Sequence, residues 1–437
     1  MSQKLNEELM KFIQESPTSF HAVENFKNML KEAGFSELLE NQKWDIKAQG
    51  KYFVTRNDSS IIAFTVPKQD FKGFQMIASH SDSPTFKIKE NAEMDVEGHY
   101  TKLNVEGYGG AICSPWFDRP LSVAGRVVVK TEKGIETRLV KVDKDLLMIP
   151  NVAIHMNREV NKGYSYNIQK DLLPVLGDQR AKGTFYDLIA KEAGTEKENL
   201  LGTDLFLYNR VPATIWGANE EFLSGPRLDD LQCAFASMKG LLEAESSESV
   251  SVCAVFDNEE SGSSTKQGAC STFLLDTLTR LNKALGRSEE DYLVAVANSF
   301  MISADNAHAI HPNHTDVADP THRPYMNEGI VIKYHAGQKY TTDGISTAVF
   351  KLLCEKTGVP YQMFFNRSDM QGGSTLGNLS NTKVSLNAVD IGLPQWAMHS
   401  PYETCGTKDT EYFYQVAKVF YGSSVEMTAP GSYELKG

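Results

Sequence analysis

The spacing of hydrophobic residues near the start of the chain predicts a helix followed by strands. Apolar residues recur every three or four positions over residues 19–31, and Gly34 follows as a C-cap candidate, so a helix is expected there. Two β-rich runs, at residues 52–55 and 61–66, flank a polar turn and predict a hairpin. Residues 74–78 form a short apolar run that ends in polar residues, which is typical of a buried strand.

The pattern changes to alternating polar and apolar positions from about residue 91. Residues 122–130 and 136–142 show this alternation clearly, which predicts strands with one buried face. We therefore expect a mostly β insertion at residues 92–221, placed inside a larger α/β domain made of residues 1–91 and 222–437.

An α/β pattern returns after Leu223. Residues 228–245 have helical periodicity, and short apolar runs at 249–256, 299–302 and 383–389 predict further strands. Most of these runs are followed closely by polar residues. Because open α/β sheets place their sites at the carboxyl ends of strands, we expect the functional residues on this part of the chain.

Composition narrows the classes of function. The chain has 437 residues, 41% of them hydrophobic and 23% charged, as in ordinary globular proteins. A net charge of −12 disfavours nucleic acid and anionic membranes as main partners. The six cysteines include no CxxC pair, which argues against a disulfide framework and a thiolate zinc site. Without a signal peptide or a membrane-spanning apolar run, the expected location is cytoplasmic.

The polar residues after the strand-like runs are of the types that bind divalent metals. Zinc prefers His nitrogen and carboxylate oxygen, and a two-metal site needs a carboxylate that bridges both ions. Each group also has an ordinary structural interpretation, such as a helix-capping acid, a solvated turn or a loop histidine. The candidate ligands are His80 with Asp82, Asp229 with Asp230, Glu259 with Glu260, Asp305, and His399.

Together these segments resemble the M18 metallo-aminopeptidases, the aspartyl aminopeptidase family. The resemblance covers essentially the whole chain, and the segment at residues 305–313 is especially specific. One departure is Asp230, which stands where many relatives carry Asn. The matching segments are residues 16–21, 80–84, 227–231, 257–262, 303–313 and 397–400.

The resemblance implies an α/β fold: a mixed-sheet zinc-peptidase catalytic domain sandwiched by helices, with an inserted, mostly β dimerisation domain. It also implies two divalent ions per subunit, with zinc expected and manganese or cobalt as alternatives. Asp229 would bridge the ions, His80 and Asp305 would complete one ligand set, and Glu260 with His399 the other.

The resemblance implies roles for further residues as well. Glu259 would act as the general base, and Asp82 would hold the ring of His80. His155 of the insertion would enter a neighbouring subunit's site and stabilise the oxyanion. Lys333 would pair with an acidic substrate side chain, and Tyr340 and His308 would line the same pocket.

The expected function is removal of an acidic N-terminal residue from peptides by a homododecamer built from dimers. Three bimetallic alternatives stay open: an aminopeptidase for neutral residues, a carboxypeptidase and a deacylase. A non-catalytic oligomeric shell, with metals as structural clips, is a further alternative. Glu259 argues against the shell, because a structural site does not need an unliganded carboxylate beside its ions.

Overall fold

The computed structural model describes residues 2–437, which form ten α-helices and four β-sheets. None of the helices within these residues is both long and apolar enough to cross a membrane. The helices are α1 (Ser2–Glu15), α2 (Ser19–Glu32), α3 (Ile168–Asp171), α4 (Phe185–Glu192), α5 (Leu228–Glu243), α6 (Phe273–Ala284), α7 (Glu289–Ala297), α8 (Gly344–Thr357), α9 (Leu376–Ser380) and α10 (Asp409–Tyr421).

A nine-stranded mixed sheet forms the centre of the larger domain. Its strand order is β1-β2-β3-β13-β4-β14-β18-β16-β17. Its members are β1 (Ser36–Leu38), β2 (Lys51–Arg56), β3 (Ser60–Thr65), β4 (Phe74–His80), β13 (Val250–Phe256), β14 (Phe300–Ala304), β16 (Ile330–Tyr334), β17 (Tyr361–Phe365) and β18 (Asn387–Gly392).

Helices cover both faces of this sheet because its strands are apolar on both sides. Ile77 of β4 packs with α1, α2, α5, α8 and α10 in one core cluster. Its neighbours Met76 and Ala78 point the other way, into a second cluster with α6, α7 and α9. A sheet buried on both faces needs such continuous apolar strands. The expected mixed sheet between helices is therefore confirmed.

A six-stranded antiparallel sheet, ordered β8-β7-β10-β5-β6-β9, has its own core and is packed by α4. Its first strand begins at Thr85, so it crosses the boundary that the sequence predicted at residue 92; the domain division itself stays a prediction. Its members are β5 (Thr85–Val96), β6 (Tyr100–Tyr108), β7 (Leu121–Thr131), β8 (Gly134–Lys141), β9 (Val175–Asp178) and β10 (Leu200–Asn209).

Two small sheets complete the fold. A five-stranded sheet is ordered β11-β12-β20-β19-β15. The last two strands of the described chain, β21 and β22, form a separate hairpin. These strands are β11 (Thr214–Trp216), β12 (Phe222–Gly225), β15 (Ala307–His308), β19 (Pro394–Trp396), β20 (Glu403–Gly406), β21 (Ser424–Ala429) and β22 (Ser432–Lys436).

Most predicted elements lie close to where the pattern placed them. The helix predicted at 19–31 is α2, and Gly34 follows it with a positive φ of 82°. The predicted hairpin is β2–β3. The strand expected at 383–389 is shifted, because β18 starts only at Asn387, after α9 and a turn.

Candidate metal centre

Parallel strands of the nine-stranded sheet bring the metal-ligand candidates to one edge. Strand β4 is parallel to both β13 and β14, and His80 at its end lies opposite Phe256. The chain after β13 makes a short 3-10 turn, Glu259–Ser261, and Asp305 follows β14 directly. Asp229 lies in the first turn of α5, where its ψ of 109° departs from helical geometry. The carboxyl ends of the strands thus form the site, as the sequence predicted.

Asp229 lies between two groups of ligand atoms. Its Oδ1 is 3.3 Å from Nε2 of His80, which is 3.7 Å from Oδ1 of Asp305. Its Oδ2 is 3.7 Å from Nε2 of His399, which is 3.3 Å from Oε2 of Glu260. One oxygen of the same carboxylate therefore faces each group, which is the arrangement of a carboxylate that bridges two cations.

The residues at this site fit a cation because the cluster holds more carboxylates than the nearby ammonium of Lys333 can neutralise. Buried oxygens of Asp229, Asp230 and Glu260 have no hydrogen-bond partner. Burial and the neighbouring carboxylates raise the pKa of Asp230 and of Glu260 well above the usual range. Burial alone would lower the pKa of His80, but Asp229, Asp305 and Asp82 raise it well above normal. Nitrogen and oxygen donors of this kind suit zinc and related divalent ions.

Asp230 has a structural contact in addition to its place beside the ligands. One of its oxygens accepts a hydrogen bond from the backbone N–H of His80 at 3.1 Å. It also belongs to the group formed by His80, Asp229 and Asp305, whose donor atoms lie within 4.8 Å of one another. Asp230 therefore fixes the end of β4 beside the candidate ligands.

Glu259 and Glu260 are held by the same carboxylate, Asp82. The N–H of Glu259 donates to Oδ1 of Asp82 at 3.1 Å, and the N–H of Glu260 donates to Oδ2 at 3.2 Å. Oδ1 of Asp82 is also 3.3 Å from Nδ1 of His80. Burial and the neighbouring carboxylates raise the pKa of Glu259 to about 8. Asp82 thus links the ring of His80 to the turn that carries both glutamates.

The six-stranded sheet supplies two further contacts that the sequence did not predict. The hydroxyl of Tyr108, the last residue of β6, donates to Oδ2 of Asp82 at 2.6 Å. Nδ1 of His399 donates to the carbonyl of Gly110 at 2.8 Å, which leaves Nε2 free to face the cluster. A ring nitrogen fixed in this way presents the other nitrogen to a metal. Residues 108–110, at the end of β6, therefore orient His399 directly and His80 through Asp82.

Glu403 is a second residue that sequence reasoning missed. Its carboxylate accepts the backbone N–H of Asp229 at 2.9 Å and that of His399 at 2.8 Å. It is 1% exposed, so these two bonds fix the backbone of both ligands in a site without competing water. No motif marked it, because β20 follows His399 only as an ordinary strand.

A cavity of about 150 Å³ opens beside the cluster. Its lining includes Glu259 and the three predicted pocket residues Lys333, Tyr340 and His308. The ring of His308 packs against Phe364 at a centroid distance of 5.9 Å. All predicted residues except His155 therefore lie in or directly behind one site.

Lys333 already has partners within the chain. Its Nζ donates to the carbonyl of Asn306 at 2.9 Å and is 3.4 Å from Oδ2 of Asp305. Burial alone would lower the pKa of Lys333, but Asp305 and other nearby anionic groups raise it, so the ammonium stays charged. The charge of the buried lysine is therefore compensated within the chain, without a substrate carboxylate.

His155 lies apart from this cavity. It is exposed, in the irregular segment between β8 and α3, and is not among the residues that line the cavity. Hydrophobic side chains around it are also exposed, among them Val152, Ile154 and Met156. Its role in a neighbouring subunit stays a prediction.

Comparison with known proteins gives one family over nearly the whole chain. The family model described as "Aminopeptidase I zinc metalloprotease (M18)" matches residues 12–421. A probable M18 family aminopeptidase 2 of Clostridium acetobutylicum is 50% identical over 421 residues, covering 94% of this chain and 97% of that protein. A protein of the same description from Pseudomonas syringae is 41% identical over 432 residues, covering 97% and 99%.

Solved structures agree with this assignment. A chain of the Ape4 and Nbr1 complex superposes with a TM-score of 0.93 at 35% identity, covering 96% of this chain and 86% of that one. The mApe1 dodecamer of S. cerevisiae gives a TM-score of 0.82 at 29% identity, covering 95% of each chain. These findings confirm the resemblance and make the protein a metal-dependent aminopeptidase. The chain therefore belongs to the M18 family of metallo-aminopeptidases.

Proposed function

We propose that this protein is a two-metal aminopeptidase that removes acidic N-terminal residues from peptides. The observation that carries the proposal is the position of Asp229, whose two oxygens face separate groups of ligand atoms. His80 and Asp305 complete one group, and Glu260 and His399 complete the other. Zinc is the ion we expect at both positions, since the family model describes zinc enzymes and the donors suit it.

Two bound divalent ions supply Lewis-acid chemistry, polarising the scissile carbonyl and lowering the pKa of the attacking water. The protein itself must hold the substrate's N-terminus and move one proton. Glu259 lines the cavity, and its carboxylate accepts no hydrogen bond from any donor in the described part of the chain. It accepts the proton of the attacking water and returns it to the leaving amine.

The acidic preference rests on Lys333 at the wall of the cavity. A charged, buried lysine attracts a carboxylate strongly because few water molecules screen it. Its link to Asp305 fixes the ammonium in place, so that a substrate Asp or Glu would meet a preorganised cation. Tyr340 lies beside it, with its ring centroid 5.6 Å from Nζ.

Hydrolysis of aminoacyl chromogenic substrates tests this function. The metal-loaded enzyme should release Asp and Glu much faster than Leu, and a chelator should abolish the activity until a divalent ion is restored. Lys333→Met should reduce kcat/KM for Asp and Glu substrates while affecting the Leu substrate less. Faster release of Leu would favour the neutral aminopeptidase, and no release with any metal would refute the proposed activity.

Glu259→Gln tests the proposed base separately. The substitution keeps size and hydrogen-bonding capacity but removes the basic oxygen, so kcat should fall by roughly 10²–10⁴-fold. The metal content should stay unchanged, because Glu259 is not one of the five proposed ligands. Wild-type kcat in Glu259→Gln would show that another group accepts the proton.

We further propose a homododecamer built from dimers, in which His155 completes the neighbouring site. A dodecamer is known for the yeast mApe1 relative, and apolar side chains around His155 are exposed. Mixing two inactive variants tests the shared site. Random pairing of His155→Ala with Glu259→Gln should restore about one quarter of the sites, if each site draws on two subunits. Mixtures as inactive as either variant alone would place His155 outside the active site.

A further inference from the structure

A second and larger cavity, of about 300 Å³, lies between the nine-stranded and six-stranded sheets. It shares one wall with the metal centre. Asp82, Tyr108 and Asn258 form that wall, and none of the five proposed metal ligands lines the cavity. The proposed peptidase mechanism makes no use of this space.

The N-terminal segment at residues 16–21 forms another wall. Pro17, Thr18, Ser19 and Phe20 all line the cavity. Thr18 Oγ1 and His21 Nδ1 are hydrogen-bonded at 2.8 Å, which fixes the segment where α2 begins. This segment belongs to the pattern that the family resemblance picked out, yet it contacts no proposed metal ligand.

Arg227 brings an uncompensated positive charge to the cavity. Its Nε donates to the carbonyl of Ser16 at 3.0 Å and its Nη2 to that of Ile13 at 2.9 Å. No ion pair with a carboxylate forms at Arg227 within residues 2–437. Glu403, which also lines the cavity, already accepts two backbone N–H groups. The guanidinium therefore lacks the anionic partner that a poorly hydrated arginine favours.

Of the other lining cations, Lys266 is exposed to solvent and two are neutralised within the protein. Lys87 and Arg126 both pair with Asp204, at 2.8 Å and 3.0 Å. The contrast singles out Arg227 as the lining guanidinium available to a ligand carboxylate.

Asp257 brings a carboxyl group to the cavity. It is 4% exposed and accepts the N–H of Asn258 at 2.8 Å, but it forms no ion pair with any cation of the described chain. Burial and the neighbouring carboxylate of Asp82 raise its pKa to about 7, so a cationic ligand group beside it would favour its charged form. The cavity thus offers a guanidinium and a buried carboxyl group, neither of them in an ion pair, on either side of residues 16–19.

Apolar side chains contribute to the lining as well, beside polar ones. Phe20, Trp116, Phe206 and Leu207 contribute to it, and Trp116 is held by edge contact with Phe86. A ligand that matches all three features carries a carboxylate, an ammonium group and an apolar side chain. We propose that this cavity binds a free α-amino acid, with its carboxylate at Arg227 and its ammonium at Asp257.

The site would connect the concentration of a free amino acid to catalysis. Tyr108 and Asn258 are hydrogen-bonded to each other at 2.9 Å, and Tyr108 holds Asp82. A ligand packed against this wall acts on the groups that orient His80 and the Glu259 turn. This regulatory meaning rests on the proposed aminopeptidase function, whereas the binding itself does not.

Calorimetric titration of L-leucine into the metal-loaded enzyme tests the proposal. An amino-acid hydroxamate first saturates the metal centre, so that only binding elsewhere gives heat. L-Leucine should still bind, at one molecule per chain. Leucinamide lacks the carboxylate and 4-methylpentanoate lacks the ammonium group. Each should bind at least about tenfold more weakly, as expected for losing one charge-assisted contact.

Variants locate the binding. Arg227→Gln and Asp257→Asn should each weaken L-leucine binding at least about tenfold. Lys141→Gln is the matched control, because Lys141 also donates to the end of α1, at the carbonyl of Gln14, but does not line the cavity. It should bind L-leucine like the wild type. If Arg227→Gln does not fold, Asp257→Asn and the two analogues decide the question.

Three results would overturn the proposal: no binding to the hydroxamate-saturated enzyme, binding of leucinamide and 4-methylpentanoate as tight as that of L-leucine, or wild-type binding by both cavity variants. The readout is heat, so it does not depend on hydrolysis. Binding without any peptidase activity would refute the proposed function and leave the amino-acid site standing.

Discussion

At the scale of single residues, the site depends on carboxylates that hold other side chains in place. Asp82 contacts the ring of His80 and the backbone of both glutamates, while Glu403 holds the backbone of Asp229 and His399. These contacts orient the donors before any ion binds. Tyr108 extends the same network into the six-stranded sheet.

Tyr108→Phe should weaken metal binding without unfolding the protein. The change removes a 2.6 Å hydrogen bond to Asp82, and loss of such supporting bonds costs about 10–100-fold in metal affinity. Competition with a chromophoric chelator measures the effect. Tyr186→Phe is the control, because its hydroxyl bonds the carbonyl of Glu90, away from the cluster. Equal affinity in the two variants would show that Tyr108 does not support the site.

Sequence reasoning found the candidate ligands and one of their supports, Asp82, but not the other supports. His80, Glu260 and Asp305 could be predicted because each follows a recognisable strand, and strand ends converge in an open sheet. Tyr108 and Glu403 could not, because their contacts join residues that only tertiary packing brings together. Glu403, for example, bonds Asp229 across 174 positions of sequence. The partner of Lys333 was missed for the same reason.

At the scale of elements, two loops beside the cavity are tied to one strand. Asp390 of β18 accepts hydrogen bonds from the hydroxyl groups of Thr341 and Thr375, each at 2.6 Å. Thr375 lines the cavity itself, and Thr341 follows Tyr340, which also lines it. A single buried carboxylate thus fixes both loops against β18.

Asp390→Asn should loosen these loops and raise KM more than it lowers kcat. In the variant, the amide nitrogen of the new side chain replaces one acceptor oxygen, so one threonine hydroxyl loses its acceptor. A buried polar group left without a partner costs about 1–3 kcal/mol of stability. Steady-state kinetics and thermal unfolding together measure the effect. Asp343→Asn, which alters the N-cap of α8, should lower stability while leaving KM nearly unchanged. An unchanged KM in Asp390→Asn would separate this residue from substrate binding.

Element boundaries were predictable where local patterns were strong. The β2–β3 hairpin and α2 follow from turn residues and helical spacing. Strand β18 was placed too early, because the apolar residues before it, such as Val384, pack in the core from a turn. Periodicity cannot distinguish a buried turn from a strand over so few residues.

At the scale of the whole molecule, the two large sheets meet at the N-terminal segment. His21 is buried there, at 8% exposure, near Lys141 of the six-stranded sheet and Arg227. Burial and these two cations lower the pKa of His21 from 6.5 to about 4. The unfolded chain therefore binds a proton at a higher pH than the folded protein does.

Stability should consequently fall as the pH drops from 6.5 towards 4. In that window the unfolded state gains a proton that the folded state excludes. The free energy of unfolding therefore falls by about 1.4 kcal/mol for each pH unit. Denaturant unfolding of the wild type and His21→Asn at pH 7 and pH 5 measures it. The variant should lose less stability on acidification, and parallel losses would show that His21 stays outside this linkage.

The central claim, two cations bridged by Asp229, is tested most directly by metal analysis of the purified protein. Mass spectrometry of the metal content should give two divalent ions per chain in the wild type and in Glu259→Gln. Asp229→Asn should lose metal from both positions, because it removes the charge that both groups of ligands share. One ion per chain in the wild type, or full occupancy in Asp229→Asn, would contradict the account.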